Sequence, residues 1–356
     1  MPPGPNQLPL PPGIPFYFTQ YETYLNFSFD FDIWGKNRSL YNAALGARYA
    51  AMADEALVRL AMSISVARVY FELQTNYERQ EIARRLVENR RRYYRIVQQR
   101  VDANIDDALT SIDAENGLED AQIALLQIEG TIAQNEHLLQ SYLAGSFDED
   151  LQRTRILRKP LPQAPLPSDV PLHLLAHRPD IQAQLWLIES AGHKIDAARA
   201  GFYPDLNLVG FIGFQTAKLS KLFEGQSAYW DGEPGFSLPI FNGGLLVANL
   251  RGSEIDYDQA ILRYNQMVLD ATREVLDGIS LVQNAYEQFE RTHSESSLQR
   301  GRLDLVQDRI ANNIGSDLDL LNSEQITLGS QDRVVVAQWN KTLAMLSLIK
   351  ALGGGY

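Results

Sequence analysis

No cysteine occurs among the 356 residues, which excludes a disulfide framework, thiol catalysis, thiolate metal sites and a lipidated cysteine within these residues. A run of eighteen apolar residues is also missing, so no membrane-spanning helix is expected. The opening MPPGPNQLPLPPGIPFYF lacks a basic start followed by an apolar stretch and does not read as a secretory signal. Its prolines and glycines predict an irregular loop. Basic residues are scarce relative to acidic ones, 32 against 44, and the net charge of -12 disfavours a nucleic-acid partner, because phosphate attraction needs a basic surface. His137, His173, His177, His193 and His293 show no metal-ligand spacing, and no GxSxG elbow, phosphate-cradling loop or dinucleotide fingerprint is found. No catalytic residue, metal site or cofactor is therefore assigned.

What the chain does have is repetition. Phe29 to Trp34 (FDFDIW) is answered by Phe236 to Phe241 (FSLPIF), and Arg100 to Glu115 (RVDANIDDALTSIDAE) by Arg309 to Glu324 (RIANNIGSDLDLLNSE), about 205 residues later. Each copy reads as a strand leading into a long helical hairpin. Such a unit is too elongated to enclose a core alone, so the two copies are expected to form one intertwined body, an assembly part rather than a catalytic pocket.

From Leu25 to Ile33 apolar and polar residues alternate, with Leu25, Phe27, Phe29, Phe31 and Ile33 on one side and Asn26, Ser28, Asp30 and Asp32 on the other. A soluble sandwich would turn the phenylalanines inward; a membrane barrel would turn them to lipid and wet its lumen with the aspartates. Asp30 and Asp32 fit that wetting better than a catalytic pair. Further candidate strands are Leu206 to Gln215 and the Phe236, Leu238, Ile240 alternation before Asn242-Gly243-Gly244.

After Gly35 the period becomes helical to about Arg100. Leu57, Leu60, Ile64, Ala67 and Phe71 step by three and four, as do Val275, Ile279, Val282, Tyr286 and Phe289 in the second copy, from about Leu245 to Asn312. Roughly 65 residues at 1.5 Å each would make a rod near 100 Å long, several times a bilayer core, which must stand in water. Each rod breaks at Asn104 or Asn313 and returns as Ile105 to Leu143 or Ile314 to Leu352; asparagine tolerates the left-handed backbone such a reversal needs. Eight arginines between Arg79 and Arg100, with Tyr93 and Tyr94 among them, are interleaved with Glu81 and Glu88 and read as a solvated helix face. The expected divisions are a proline-rich loop (1–20), the first repeat (21–145), a proline-rich connector (146–177) and the second repeat (178–356).

A further set of residues is more specific. Arg178-Pro179-Asp180, Ala198-Arg199-Ala200, Phe202-Tyr203-Pro204 and the strand after them resemble the second-half signature of TolC-like outer-membrane efflux proteins, particularly their lipoprotein branch. Tyr21 to Gly35, ending Asp32-Ile33-Trp34-Gly35, is similar to that family's first-copy strand, and Lys350 to Tyr356 to its C-terminus. The resemblance implies a mainly α fold with membrane strands: long antiparallel coiled-coil hairpins forming an α-barrel, with four strands per protomer in a trimeric twelve-stranded β-barrel. It implies a passive outer-membrane exit duct for small molecules, with its helices in the periplasm. The implied partners are a homotrimer, a periplasmic adaptor, an inner-membrane transporter and outer-membrane lipid. A protein-secretion duct of the same architecture, or a soluble helical scaffold without a channel, are the alternatives.

Carried to single residues, the resemblance sets Arg100, Asn104, Ile105, Arg309, Asn313 and Ile314 at the periplasmic tip, against the adaptor or the pump. The family narrows its entrance with Leu-x-Leu-Leu-Asp, here Leu318-Asp319-Leu320-Leu321-Asn322, so Asn322 stands at the family's constriction aspartate and Asp319 offers a carboxylate one turn earlier. Three copies of Asp319 would make a cation-attracting ring; the alternative is a solvated surface aspartate. Leu318 is either an apolar constriction or seam packing, and Gln325 occupies a position where relatives can carry a basic residue. Nothing before Tyr21 matches the helix and strand that open the second copy. Three such chains are therefore expected to supply about nine strands, too few to close a barrel in the family manner.

Overall fold

The computed structural model describes residues 19–143 and 177–354. The expected proline-rich connector lies almost wholly outside them, as do the terminal residues 355 and 356. In chain order the elements are β1 (Tyr21–Phe31), α1 (Lys36–Asp102), α2 (Ala108–Tyr142), α3 (Pro179–Ala200), β2 (Asp205–Thr216), β3 (Ala228–Ser237), α4 (Leu245–Ala311) and α5 (Asp317–Ala351). Single 3₁₀ turns at Leu219–Lys221 and Gly225–Ser227 join β2 to β3. The duplication is exact in length: α1 and α4 have 67 residues each, α2 and α5 have 35.

Contacts divide the chain into two units, each drawn from both halves: residues up to Arg48 with Trp186–Ile261, and Tyr49–Leu185 with the residues from Leu262 onward. In the second unit Val69 and Leu73 of α1 pack on Ile132 and Leu139 of α2. A second cluster joins Ile181 at the start of α3 to Ala271, Val275 and Val282 of α4 and to Ala344 and Leu348 of α5. Val275 and Val282, expected on the seam, are fully buried, each contributing about 1.5–3 kcal/mol. Leu57, Leu60, Ile64, Ala67 and Phe71 are half-buried.

In the first unit, Gly46 lets α1 and α3 cross closely. A Cβ there would sit 3.1 Å from the Trp186 carbonyl oxygen and 3.1 Å from Ser190 Cβ. Ser190 Oγ seals the crossing by donating to the Ala43 carbonyl at 2.7 Å, satisfying a hydroxyl that burial would otherwise leave unpaired.

The same unit carries an antiparallel sheet in the order β1-β2-β3. Its register sets Leu25 beside Ile212 and Trp230, Phe27 beside Gly210 and Gly232, Phe29 beside Leu208 and Pro234, and Phe31 beside Leu206 and Phe236. One face is thus apolar from Leu25 to Phe31 and across their partners, with Thr23 and Thr216 at its far end. The alternate positions carry Glu22, Asp30, Asp205, Asp231 and Glu233, every carboxylate of the strands, all on the opposite face, and no strand contains a basic residue. Among the described residues much of that face is open: Leu25, Phe29, Ile212, Trp230 and Phe236 are all exposed, while Phe223 packs on Phe214 toward one end.

The third strand differs from expectation. It ends at Ser237, so Leu238 and Ile240 lie beyond it, in a segment where Phe241 is 91% exposed. The sequence signal failed because Asp231-Gly232-Glu233-Pro234-Gly235 reads as a turn. Pro234 is tolerated because, among the described residues, β3 is an edge strand. The returning helices also start three residues later than expected, at Ala108 and Asp317, because Asp107 and Ser316 stay extended to cap them.

Candidate functional site

The paired helix reversals belong to the second unit and are built alike. Asn104 and Asn313 adopt φ of 55° and 57°, the two non-glycine residues with left-handed backbone among those described. At the first reversal Ile105 N–H donates to the Arg100 carbonyl at 2.8 Å and Asn104 N–H to Val101 at 2.9 Å. At the second, Ile314 donates to Arg309 at 2.8 Å and Asn313 to Ile310 at 2.9 Å. This double bond pattern satisfies carbonyls that a helix end leaves unpaired. It brings Arg100 to Asn104-Ile105 and Arg309 to Asn313-Ile314, and it leaves Ile105 and Ile314 exposed.

The two turns then diverge. Arg100 clamps Asp106 with two parallel bonds, Nε to Oδ2 at 2.7 Å and Nη2 to Oδ1 at 3.0 Å. Those bonds hold the Asp106 carboxyl below its ordinary value. The equivalent position in the second turn is Gly315, so Arg309 has no such clamp. Asp107 caps α2 by accepting from Thr110 N at 2.9 Å. At the head of α5, Ser316 and Asp319 form a reciprocal capping box: Asp319 N–H donates to Ser316 Oγ at 3.2 Å, while Asp319 Oδ2 accepts from Ser316 N at 3.1 Å and Oγ at 2.8 Å. The hydrogen bonds from Ser316, with the charge of Arg309 adding to them, lower the Asp319 carboxyl. The Ser-x-x-Asp spacing was a readable signal for this cap; Asp106 as partner of Arg100 had none.

Of the remaining candidates on α5, Asn322 and Gln325 are exposed and Leu318 is half-buried, while Leu321 faces the core. Leu318, Asn322 and Gln325 are four and three residues apart and share one helix face. Asn89 of α1 fixes the opposite side, donating through Nδ2 to the Leu321 carbonyl and to Glu324 Oε2, both at 3.0 Å.

The short motifs prove to be joints. Trp34 stacks on Tyr203 and donates to the Pro204 carbonyl at 2.9 Å. Arg178, only 7% exposed, pairs with Asp180 at 2.7 Å and Glu274 at 3.0 Å and donates to the Ala351 carbonyl at 2.8 Å, tying the start of α3 to the end of α5.

The model of the outer membrane efflux protein family matches residues 17–145 and 170–354. The multidrug resistance outer membrane protein MdtP of Escherichia coli K12 is 28% identical over 96% of this chain and 70% of its own length. The cation efflux system protein CusC of Escherichia coli O6:H1 is 27% identical over 95% of the chain and 73% of its own. Among solved structures, the outer membrane protein VceC of Vibrio cholerae superposes with a TM-score of 0.76 at 29% identity, covering 93% of this chain and 79% of that one. The motifs that form the two joints, the helix reversals and the matched span agree, and the chain belongs to the outer membrane efflux protein family.

Proposed function

We propose that the protein is a passive exit duct in the outer membrane, exporting small molecules for a tripartite efflux pump, with no chemistry of its own. One observation carries this reading: a sheet with one largely apolar face, much of it open among the described residues, and all its carboxylates on the other suits a wall between lipid and water better than a soluble body. Lipid also requires that sheet edges be closed. The outer edges of β1 and β3 are unpaired among the described residues, and a homotrimer would pair them with neighbouring copies, closing three strands per protomer into a barrel narrower than the family's twelve-stranded one. Exposed Leu262, Leu269 and Leu276, seven residues apart on α4, supply a coiled-coil seam for the same neighbours.

In this reading each repeat gives one long hairpin to a periplasmic tunnel. The reversals carrying Arg100, Asn104, Ile105, Arg309, Asn313 and Ile314 meet a periplasmic adaptor and an inner-membrane transporter, and Leu318, Asp319, Asn322 and Gln325 line the narrow entrance. The relatives' names cover multidrug resistance and cation efflux, and which solutes pass here is a matter for the transporter.

The test is reconstitution of the protein, extracted in detergent, into planar lipid bilayers, with native mass spectrometry of the same preparation. Trimers and stepwise, cation-preferring conductance are expected. A monomer that never gives conductance steps would overturn the reading.

A further inference from the structure

On the carboxylate-bearing face, near the ends of the strands remote from the helices, Tyr24 and Tyr229 both lie directly across from Gly213. Gly213 forms a floor without a side chain. Phe211 stands two residues along the same strand, its ring 6.0 Å from Tyr24 and 5.0 Å from Tyr229, inclined to them by 56° and 50°. The three rings bound a cavity of about 460 Å³ whose rim carries Glu22, Asn26 and Gln215. That volume lies within the range of small-molecule sites.

Two properties select a ligand. Aromatic faces attract cations through the ring quadrupole. This face also holds Glu22, Asp30, Asp205, Asp231 and Glu233 with no basic residue in any strand, so an anion is repelled and a cation is drawn in. Asp231 pairs directly with Phe211, and Glu22 lies two residues from Tyr24. A compact, strongly hydrated metal ion would gain little from three rings, whereas an alkylammonium gains from both rings and charge. We infer that this cavity is a binding site for quaternary or aryl ammonium cations on the wet face of the sheet. The inference rests on the duct reading only in that this face must meet water, and conductance of the same preparation tests that reading independently.

Benzyltrimethylammonium, which is water-soluble and compact, is titrated by calorimetry against the full chain in detergent, with benzenesulfonate as the anionic counterpart. Saturable binding of the ammonium alone is expected, weakening with added salt. Tyr24→Leu and Tyr229→Leu should each weaken it about 3- to 10-fold and Tyr24→Phe should leave it within about 2-fold, since the ring face is kept. Glu22→Gln should weaken it and reduce the salt dependence. Equal binding of benzenesulfonate, absence of saturable ammonium binding to the unsubstituted protein, or binding indifferent to both leucine variants would each overturn the site.

Discussion

Trp34 stacks on Tyr203 with ring centroids 4.6 Å apart and planes 19° from parallel, and its indole N–H reaches the carbonyl of the next residue, Pro204, at 2.9 Å. The exit of β1 is thereby fastened to the entry of β2. The nearby Lys36–Asp205 pair, 3.5 Å apart with both partners exposed, adds little. Asp32 completes the joint by accepting from the backbone of Asn37 at 2.9 Å and Arg38 at 2.8 Å, so it caps α1.

Trp34→Ala removes stacking and a hydrogen bond together and should cost about 2–3 kcal/mol, since an aromatic pair contributes about 0.5–1.5 beyond its burial and the bond about 1. Trp34→Phe keeps the ring and should cost about 1 kcal/mol. Thermal unfolding in detergent, followed by near-ultraviolet circular dichroism, measures both. Equal stability of the alanine variant would mean that the joint bears no load.

Arg178 holds the second joint, and its charge is nearly sealed from water. Burial by itself would raise the Asp180 carboxyl, but the hydrogen bonds and charge of Arg178 outweigh this and hold it below its ordinary value. Arg178→Met leaves Asp180 buried without its partner and should cost about 3–5 kcal/mol. The pH dependence follows in sign. A carboxyl lowered on folding stabilises fully above about pH 3.9 and loses that contribution as pH falls through its native value. The stability gap between the parent and the Arg178→Met, Asp180→Leu double variant should be constant above that point and shrink only as pH falls below it. A gap that already changes near neutrality would assign the effect to another group.

Much of this was legible beforehand because it rests on local periodicity. The seam of Val275 and Val282, the left-handed Asn104 and Asn313, and the strand containing Phe27 and Phe29 each follow from spacing within a few residues. The third strand was misread because its glycines and Pro234 are turn residues, made tolerable only by an edge position that tertiary pairing decides. The partnerships of Trp34 with Tyr203 and of Arg178 with Ala351 span well over a hundred residues. Resemblance marked those residues, but only the fold brings them together. At the tip, the asymmetry between Asp106 and Gly315 is plain in the sequence, yet its consequence for Arg100 depends on the turn folding first.

The apolar face offers a paired comparison, because Phe27, Gly210 and Gly232 share one row across the three strands. The Phe27 ring lies over Gly210, where a Cβ would fall 2.2 Å from Phe27 Cζ and 2.9 Å from the Asp231 carbonyl oxygen. Gly232 has nothing within 4 Å of the same position. Gly210→Ala should destabilise the sheet by about 1–3 kcal/mol through overpacking, and Gly232→Ala should stay within about 0.5. Heat-modifiable migration on gels, a measure of intact membrane strands, should shift to lower temperature for the first variant alone. The same shift in both would point to backbone freedom rather than the aromatic cover.

With Asp319 at the proposed entrance, its ionisation would set how the duct answers pH. In the proposed trimer three copies would crowd together, and like charges raise one another's titration point. Within each protomer the opposite influence is already committed, because Ser316 donates to the carboxylate through both its hydroxyl and its backbone N–H, and these bonds lower it. The cap therefore keeps Asp319 ionised to pH values below the ordinary carboxylate range of about 3.9, and its support of α5 is lost only as pH falls through that lowered value. Cation preference, read as the reversal potential across a salt gradient in planar bilayers, should stay constant from pH 8 to about pH 5. Asp319→Asn should reduce it at every pH, whereas Ser316→Ala, which removes one donor and costs α5 about 0.5–2 kcal/mol, should move the loss upward in pH without altering the plateau. A parent duct that already loses selectivity near pH 6 would show that crowding overcomes the cap. Indifference to Asp319→Asn would remove that residue from the entrance altogether.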